Sequence, residues 1–255
     1  MEARTVTYTA LPGIPLIAPG DDLAAIIAEA VKATEIVPQH GDVLVIAQKI
    51  VSKAEGRYVD LARVTPTARA REVATVTGKD PRLIEVILGE STEVVRQHKD
   101  VLIVAHRLGY VMANAGVDQS NVGADGGERV LLLPENPDAS CAALKATLDR
   151  AFGVGIAVVI NDSFGRAWRN GVVGVALGAA GLPALQSLVG APDLFGRAMR
   201  MTEVAIADEV AAAASLVMGQ AAEGTPVIHA RGLRWEAASC NAAALIRPKH
   251  MDLFR

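Results

Sequence analysis

The stretch VLIVAHRLGYVMA, residues 101–113, decides the fold class of this 255-residue chain. Two apolar runs, VLIVA (101–105) and YVMA (110–113), are separated only by the four residues HRLG. A connection this short joins neighbouring antiparallel strands, whereas parallel strands need a crossover of about a dozen residues or more. The stretch therefore predicts a β-hairpin and argues against a sheet that is parallel throughout.

Strand and helix signals alternate on both sides of this hairpin. Asp21 and Asp22 precede a helical pattern of apolar residues, and the run VLVIAQKIV (43–51) follows it and begins as a buried strand. Towards the C-terminus, a helix over about 138–151 leads into the apolar run VGIAVVI (154–160). The hairpin and the strand–helix alternation together predict an α+β fold built on a mixed sheet.

The domain organisation is expected to be simple, because no internal repeat, low-complexity block or Pro/Ser-rich linker marks a boundary. Residues 1–255 are predicted to form a single domain, in which two lobes would be intimately connected. The uncharged stretch 171–192 is long enough to raise the question of a membrane span. Its prolines and glycines predict a buried strand, a turn and a helix instead, so no contact with a membrane is expected.

Composition and charge argue against several classes of protein. Twenty-five Lys and Arg residues against 28 Asp and Glu residues give a net charge of −3, which disfavours a nucleic-acid binder that relies on a broad basic surface. Cys141 and Cys240 lie far apart without a CxxC pair, so neither a zinc site nor a disulfide framework is indicated. Residues 1–15 lack the apolar region of a signal peptide. A location in the reducing cytoplasm is therefore expected.

Two polar loops, each predicted to follow an apolar strand, carry the residue types of a metal site. In INDSFGRAWR (160–169), Asp162 and Ser163 combine a carboxylate with a hydroxyl, which suits Mg²⁺ or Mn²⁺ because hard divalent ions prefer oxygen ligands. In NAGVDQSN (114–121), Asp118 offers a second carboxylate. Either segment alone fits an ordinary turn, but two acidic segments at strand ends predict a shared metal site.

The surrounding residues narrow the chemistry without identifying the reaction. Arg166 and Arg169 are suited to hold phosphate or carboxylate oxygens, and with Asp162 they form the predicted catalytic set. No GxxxxGK[ST] motif is present and no GxGxxG follows a strand, so Walker-type and Rossmann-type nucleotide sites are not expected. Asn161 stands where a nucleophile elbow needs its leading glycine, which weakens the case for Ser163 as a hydrolase nucleophile. The residues alone predict an oxygen-ligated metal site near phosphate.

Five segments, taken in order, resemble the coenzyme F-420:L-glutamate ligase family, the F-420-0 gamma-glutamyl ligases. Each segment is weak by itself, but the five together at these spacings are highly specific, and they span about residues 8 to 235. The segments are LPGIPLI (11–17), VIAQKIVSKAEGR (45–57), VMANAGVDQSNV (111–122), VINDSFGRAWRNGVVGVALGAAG (159–181) and VMGQAAEGTPV (217–227).

The resemblance implies a GTP-dependent ligase that adds L-glutamate to the deazaflavin coenzyme precursor F-420-0, and then a further glutamate through a γ-glutamyl bond. The implied route proceeds through an acyl phosphate and releases GDP and phosphate. The implied cofactors are Mg²⁺ or Mn²⁺, as a pair of divalent ions per site, with K⁺ as a further candidate. A two-lobed homodimer with sites near the subunit junction is also implied. The nitroreductase-like domain fused to mycobacterial relatives is not expected here.

Matching the segments residue by residue, the resemblance implies a metal site and a GTP site. Asp118 and Asp162 would ligate one divalent ion, and Ser163 and Gln220 would help to hold a second. Some members have Glu in place of Gln220, and a neutral amide would weaken the hold on that ion. The residues implied for the GTP site are Ile14, Pro15, Leu16, Ile17, Gln48, Lys49, Lys53, Asn121, Met218, Gly219, Gln220, Ala221, Ala222, Glu223, Gly224 and Thr225.

Two other functions fit the same segments. A metal-dependent phosphohydrolase would use the two Asp-containing segments and would cleave GTP whether or not glutamate is present. A non-catalytic GTP-binding module would keep the nucleotide site and show no turnover. The ligase should therefore cleave GTP in dependence on glutamate, the phosphohydrolase should cleave it independently of glutamate, and the binding module should not cleave it.

Overall fold

The structure, a computed structural model, describes residues 3–120, 122 and 128–253. Its α-helices are α1 (Leu23–Ala33), α2 (Gln48–Ala54), α3 (Ala68–Thr77), α4 (Pro81–Gly89), α5 (Pro137–Phe152) and α6 (Ile206–Met218). Its strands are β1 (Thr7–Ala10), β2 (Val43–Ala47), β3 (Tyr58–Asp60), β4 (Ser91–His98), β5 (Val101–His106), β6 (Val111–Ala113), β7 (Arg129–Leu131), β8 (Ala157–Arg166), β9 (Arg169–Ala180), β10 (Gln186–Ser187), β11 (Glu203–Val204) and β12 (Val227–Arg231).

The hairpin predicted at residues 101–113 is confirmed. β5 and β6 pair antiparallel with Val104 opposite Met112, and β4 pairs antiparallel with β5 to complete a three-stranded sheet. The helices α3 and α4 pack against this sheet through buried apolar side chains such as Val73, Ile84 and Leu102. These elements form the core of one lobe.

A five-stranded sheet with the order β1-β12-β2-β8-β9 forms the other lobe. β2 and β8 run parallel, with Ala47 opposite Asn161, and the remaining neighbours pair antiparallel. The sheet is therefore mixed, and the predicted α+β class is confirmed. Because β2 and β8 are parallel, their carboxyl ends point towards the same edge of the sheet.

Buried side chains cover both faces of the five-stranded sheet. On one face, Leu44, Ile46 and Ile160 pack against α1 and α5. On the other face, Val45 and Val159 pack against α6. Neighbouring side chains of a strand point to opposite faces, so a strand that is covered on both sides becomes a continuous apolar run. This explains why β2 and the first half of β8 lack an alternation of polar and apolar residues.

Helix α6 lies very close to β9, and a glycine makes this approach possible. A Cβ atom at Gly174 would lie 2.2 Å from the Oγ atom of Ser215 and 2.4 Å from the carbonyl oxygen of Ala211. Buried small residues of α6, including Ala207 and Ala214, add to the contact. The separation between helix and sheet is thus set by residues without bulky side chains.

Gly174→Ala is expected to destabilise the protein by about 2 kcal/mol or more, because the added methyl group would collide with the backbone of α6. The free energy of unfolding, measured by urea denaturation, tests this. Gly165→Ala is the matched control on the neighbouring strand, since its methyl group would meet no atom within 4 Å. Equal losses of stability in both variants would contradict the packing argument.

The stretch 171–192 departs from its prediction in one part. The predicted strand is present as most of β9, although only the second half of β9 is buried, and the predicted helix is wrong, because the chain after Ala180 forms a turn and the short strand β10. Pro183 has no backbone N–H to donate, and Gly190 has a φ of 86°, so neither suits a helix there. Across the described parts of the chain, none of the helices has the length and apolar character needed to cross a membrane.

A charged cluster connects the two lobes. The carboxylate of Glu90, directly after α4, lies 3.2 Å from Nη2 of Arg57, 3.1 Å from Nε of Arg107 and 3.5 Å from Nε2 of the buried His106. Arg57 follows α2, which packs in the core of the five-stranded lobe, and it donates to the carbonyl oxygen of Leu133 in that core at 2.9 Å. The His106 ring, followed by Arg107 and Arg57, lowers the pKa of Glu90 to about 2 against the opposing effect of burial. An ionised carboxylate therefore links the lobes.

Candidate functional site

A cavity of about 1150 Å³ lies where β2 ends beside β8. Its wall contains Ala47 at the end of β2, residues of α2, and β8 from Asn161 to Ser163, together with the loop segments 14–19 and 218–226. The parallel pairing of β2 and β8 brings these distant segments to one edge of the sheet. Crevices at the carboxyl ends of parallel strands are common ligand sites in sheets that carry helices.

This cavity brings together nearly all of the residues predicted for the nucleotide and the metal. Asn121 lies outside the residues that the structure describes. Because the geometry gathers side chains without identifying a ligand, the individual roles stay predictions. The predicted residues that line the cavity are Ile14, Pro15, Leu16, Ile17, Gln48, Lys49, Lys53, Asp118, Asp162, Ser163, Met218, Gly219, Gln220, Ala221, Ala222, Glu223, Gly224 and Thr225.

Lys49 and Asp118 form an ion pair in the cavity wall. The Nζ atom of Lys49 lies 2.7 Å from Oδ2 of Asp118 and donates to Oγ of Ser120 at 2.8 Å. The Oδ1 atom of Asp118 accepts hydrogen bonds from the backbone N–H and the hydroxyl of Ser120, at 2.7 and 2.8 Å. Burial raises the pKa of Asp118, but the hydrogen bonds from Lys49 and Ser120 outweigh it, so the pKa lies below its usual value. Asp118 is therefore ionised at neutral pH.

The pKa of Asp162 is shifted in the opposite direction from that of Asp118, because burial outweighs the effect of its hydrogen bond. Its Oδ1 atom accepts a hydrogen bond from the backbone N–H of Ser163 at 2.8 Å. Desolvation raises the pKa of Asp162 to about 6, and the negative charge of Asp118 adds to the increase, whereas Ser163 and Lys49 act against it. A carboxylate that is withdrawn from water beside a second carboxylate gains from the arrival of a cation.

Cationic side chains line the same cavity. Lys49, Lys53 and Arg129 all belong to its wall. Burial, followed by the charge of Lys49, lowers the pKa of Lys53, and the attraction of Asp118 opposes this. Cations that are close enough to repel each other gain from binding a shared anion, so this side of the cavity suits a polyphosphate or a carboxylate.

The oxygen donors of the cavity fit a hard divalent cation. Asp118 and Asp162 offer carboxylates, Ser163 a hydroxyl and Gln220 an amide oxygen, and these are ligand types that Mg²⁺ and Mn²⁺ accept. Within the described residues, no group of three or more His, Cys, Asp or Glu side chains is arranged to hold a metal ion. Mg²⁺ commonly binds through one or two carboxylates, waters and substrate phosphates, and the pair of carboxylates fits such a site.

Arg166 and Arg169 lie apart from this arrangement. The segment 160–169 is not a loop after a strand, because β8 continues to Arg166 and β9 begins at Arg169, directly across a tight turn. β8 continues past the buried core because residues of β9 form backbone hydrogen bonds with it. Both arginines are exposed, and neither is among the described residues that line the cavity. The geometry lends no support to their predicted catalytic role.

Sequence reasoning assigned no role to Arg129, Tyr58 and Asn161, which all line the cavity. Arg129 begins the predicted strand RVLLL, and a basic residue at the start of an apolar strand is a signal that could have been used. Tyr58 reaches the site through the antiparallel pairing of β3 with β7, where it lies opposite Leu131. A pairing between residues so far apart in the chain leaves no local signal.

Asn161 connects the cavity wall to the last turn of α6. Its Nδ2 atom donates to Oγ of Ser215 at 3.0 Å, and the hydroxyl of Ser215 donates to the carbonyl oxygen of Ala211 at 3.0 Å. Asn161 is buried, and it directly precedes Asp162. The hydrogen bond therefore fixes the end of α6, where the loop 218–225 begins, relative to Asp162.

A model of one protein family, described as F420-0:Gamma-glutamyl ligase, matches residues 13–232 of this chain. A protein of Methanothermobacter thermautotrophicus named coenzyme F420:L-glutamate ligase is 44% identical over 252 residues, which cover 98% of this chain and 99% of the relative. Proteins with the same name from Methanopyrus kandleri and Methanocaldococcus jannaschii are 47% and 41% identical. These matches cover 94% and 89% of this chain, and 93% and 91% of the two relatives.

Proposed function

Since the chain belongs to the F420-0:gamma-glutamyl ligase family, we propose that it joins L-glutamate to the deazaflavin precursor of coenzyme F420, with GTP as the phosphoryl donor. The relatives carry the name coenzyme F420:L-glutamate ligase, which supports the pair of substrates. We propose that addition of one glutamate is followed by addition of a second through a γ-glutamyl bond. The reaction takes place in the cytoplasm and releases GDP and phosphate.

The observation that carries this proposal is the meeting of carboxylates and cationic side chains in one large cavity. Asp118 and Asp162 share its wall with Lys49, Lys53 and Arg129. The volume of about 1150 Å³ exceeds the roughly 300–1,000 Å³ of most small-molecule sites, so a nucleotide and a second substrate have room together. Phosphoryl transfer depends mainly on positioning and on charge stabilisation, and this wall offers both.

The carboxylates would hold the divalent ions on which the reaction depends. A bound Mg²⁺ or Mn²⁺ would supply positive charge that offsets the negative charge developing on the phosphate oxygens. Asp118 and Asp162 would supply charged oxygen ligands, and Ser163 and Gln220 neutral ones. Lys49, which lies 2.7 Å from Asp118, is placed to offset further phosphate charge from the same side.

The proposed route activates a carboxylate, because a carboxylate is a poor acceptor for an amine. A carboxylate oxygen of the precursor attacks the γ-phosphorus of GTP, the bond from this phosphorus to the β,γ-bridging oxygen breaks, and GDP leaves. The neutral amine of glutamate then attacks the carbonyl carbon of the acyl phosphate. The carbon–oxygen bond to phosphate breaks and the amine nitrogen loses a proton, which leaves an amide. Lys49 and Lys53 hold the phosphates in line throughout.

The proposal is tested by incubating the purified protein with GTP, the deazaflavin precursor, L-glutamate and Mn²⁺ or Mg²⁺. Mass spectrometry should detect a glutamylated product, with one GDP formed for each glutamate added. GTP cleavage at the same rate without glutamate would indicate a phosphohydrolase, and nucleotide binding without turnover would indicate a binding module. Equal turnover with ATP would contradict the choice of GTP.

We also propose that the enzyme is a homodimer, and the ribbon of residues 186–204 supports this. Its backbone is ordered by hydrogen bonds such as that from Leu188 N–H to the carbonyl oxygen of Thr202, at 2.8 Å. Leu194 is 100% exposed and Phe195 is 86% exposed. A two-stranded ribbon is only marginally stable alone in water, and large exposed apolar side chains often mark an interface. A second copy of the chain would cover them.

Replacing Leu194 and Phe195 together by Asp is expected to convert the dimer to a monomer, because burying two carboxylates in an interface would cost several kcal/mol. Size-exclusion chromatography with light scattering measures the mass of the particle. Val37→Asp, a change at a 74% exposed residue far from the ribbon in sequence, is the control and should keep the dimeric mass. A dimeric double variant would contradict an interface at the ribbon.

A further inference from the structure

The loop from Gly219 to Gly224, which follows α6, directs backbone N–H groups towards the carboxylate of Glu223. The N–H of Ala221 donates to Oε2 of Glu223 at 2.8 Å. The backbone N–H groups of Ala221, of Glu223 itself and of Gln220 hold the pKa of Glu223 below its usual value. The loop therefore already binds an anion, and the chain itself supplies that anion.

The glycine at the start of this loop allows the carboxylate to fold back. A Cβ atom at Gly219 would lie 2.2 Å from Cδ and 2.5 Å from Oε2 of Glu223. Glu223 is exposed, so its side chain could extend into water, yet its carboxylate lies against the backbone. The backbone of the loop is thus shaped around a negatively charged group.

Both ends of the loop are held in place. The hydroxyl of Thr225 donates to the carbonyl oxygen of Met218 at 3.1 Å, and the N–H of Gly219 donates to that of Ser215 at 3.1 Å. Just beyond the loop, the N–H of Ala47 in β2 donates to the carbonyl oxygen of Pro226 at 2.8 Å. The two ends of the loop are therefore anchored to α6 and to the sheet, whereas the exposed side chain of Glu223 is held by hydrogen bonds to the backbone of the loop itself.

We infer that the backbone N–H groups of Gln220, Ala221 and Glu223 form the subsite for a phosphate group, and that the Glu223 carboxylate occupies this subsite until phosphate displaces it. Converging backbone N–H groups form concave anion sites of this kind in many phosphate-binding proteins. A phosphate group carries more charge and more acceptor oxygens than a carboxylate, so it is the stronger ligand. The inference rests on the proposed function, because it takes a nucleotide as the ligand of the cavity.

Displacement makes Glu223 a determinant of nucleotide affinity. When an internal group fills a binding site for most of the time, the apparent association constant of the external ligand is its intrinsic value multiplied by the fraction of time for which the site is open. A carboxylate that holds the subsite about nine-tenths of the time would weaken binding roughly tenfold. Groups of the ligand that do not reach the loop, such as the base and ribose, would be unaffected.

The inference is tested by calorimetric titration of Glu223→Gln and Glu223→Asp with inorganic tripolyphosphate, GDP and guanosine at a fixed Mg²⁺ concentration. The Gln variant removes the charge, and the Asp variant keeps the charge on a side chain one methylene shorter, which no longer reaches the N–H of Ala221. Both variants should bind tripolyphosphate and GDP roughly 5- to 10-fold more tightly than the unchanged protein. Guanosine should bind with unchanged affinity.

The controls separate displacement from other roles of Glu223. Glu236→Gln removes one exposed negative charge elsewhere and should leave all affinities unchanged. Weaker binding in Glu223→Gln would identify Glu223 as a ligand of the ion or substrate, and a gain in Glu223→Gln without a gain in Glu223→Asp would reduce its role to net charge. Each of these results, or unchanged binding in both variants, would overturn the inference.

A second readout locates the phosphate on the loop. In ¹⁵N-labelled protein, addition of tripolyphosphate should shift the amide resonance of Ala221, and an unshifted resonance would overturn the inference. If the variants bind phosphate more tightly but the unchanged protein shows no ligase activity, the proposed function alone is contradicted. If the unchanged protein is an active ligase but the variants bind phosphate with unchanged affinity, the inference alone is contradicted.

Discussion

Asp162→Asn is expected to lower turnover about a thousandfold, which corresponds to about 4 kcal/mol of transition-state stabilisation. The amide has the size of the carboxylate and can still accept the hydrogen bond from the N–H of Ser163, but it lacks the charge that would hold a divalent ion between protein and phosphate. GDP release is measured with all substrates saturating, over a range of divalent-ion concentrations. Turnover within tenfold of the unchanged enzyme would remove Asp162 from the site.

The folded state should not suffer from this substitution. Desolvation raises the pKa of Asp162 from 3.8 to about 6, so the folded chain binds this proton more tightly than the unfolded chain. The contribution of the group to stability is therefore lost as the pH rises from about 3.8 through about 6. The Asn variant has no buried carboxylate to ionise, so it avoids this loss of stability at neutral pH. Its Tm without divalent ions should equal or exceed that of the unchanged protein, and a lower Tm would indicate structural damage.

Asp118→Asn is the matched comparison for Asp162→Asn. Asp118 is ion-paired with Lys49 and hydrogen-bonded to Ser120, so part of its charge is already balanced. The variant is expected to need a higher divalent-ion concentration for half-maximal activity and to recover at high concentration, whereas Asp162→Asn should not recover. Unchanged metal dependence would remove Asp118 from the site.

Glu90→Gln is expected to destabilise the protein by about 3 kcal/mol at pH 7. The pKa of Glu90 falls from 4.5 to about 2 on folding, and each pKa unit corresponds to about 1.4 kcal/mol. Because the folded pKa is the lower one, this contribution is complete above pH 4.5 and is lost as the pH falls from 4.5 to about 2. The variant should therefore lose less stability than the unchanged protein over that pH interval.

Glu72→Gln is the control for Glu90→Gln. Glu72 lies on α3, 3.2 Å from Arg69, with a side chain that is 67% exposed, and such pairs contribute at most about 1 kcal/mol. Urea denaturation at pH 7 and at pH 3 measures both variants. Equal losses in the two variants would contradict the assignment of Glu90 as the charged link between the lobes.

Much of the fold follows from local patterns. The hairpin at 101–113 is confirmed because its two strands and their connection lie within a few residues of one another. The run at 43–51 was expected only to begin as a strand, and β2 indeed ends at Ala47, where Gln48 begins α2. The carboxylates at 118 and 162 follow apolar runs, and that local signal was enough to pair them in one predicted site.

The parts that could not be predicted depend on strand pairing, which residue types alone do not show. β8 extends past Asp162 because β9 pairs with it directly across a tight turn, and the polar residues of 160–169 give no sign of that hairpin. The same holds for Tyr58, which enters the cavity through the pairing of β3 with β7. Patterns within a segment show which residues are polar, but the register between segments decides where each one points.

The position of β12 between β1 and β2 has a consequence for the synthesis of the protein. During translation, β1 and β2 emerge long before the strand that separates them, so both carry unpaired edges while more than half of the chain is made. The sheet closes only when residues 227–231 leave the ribosome, and that closure also anchors Pro226 to Ala47 beside the cavity. Unpaired strand edges favour aggregation, so the nascent chain is exposed to that hazard until β12 inserts.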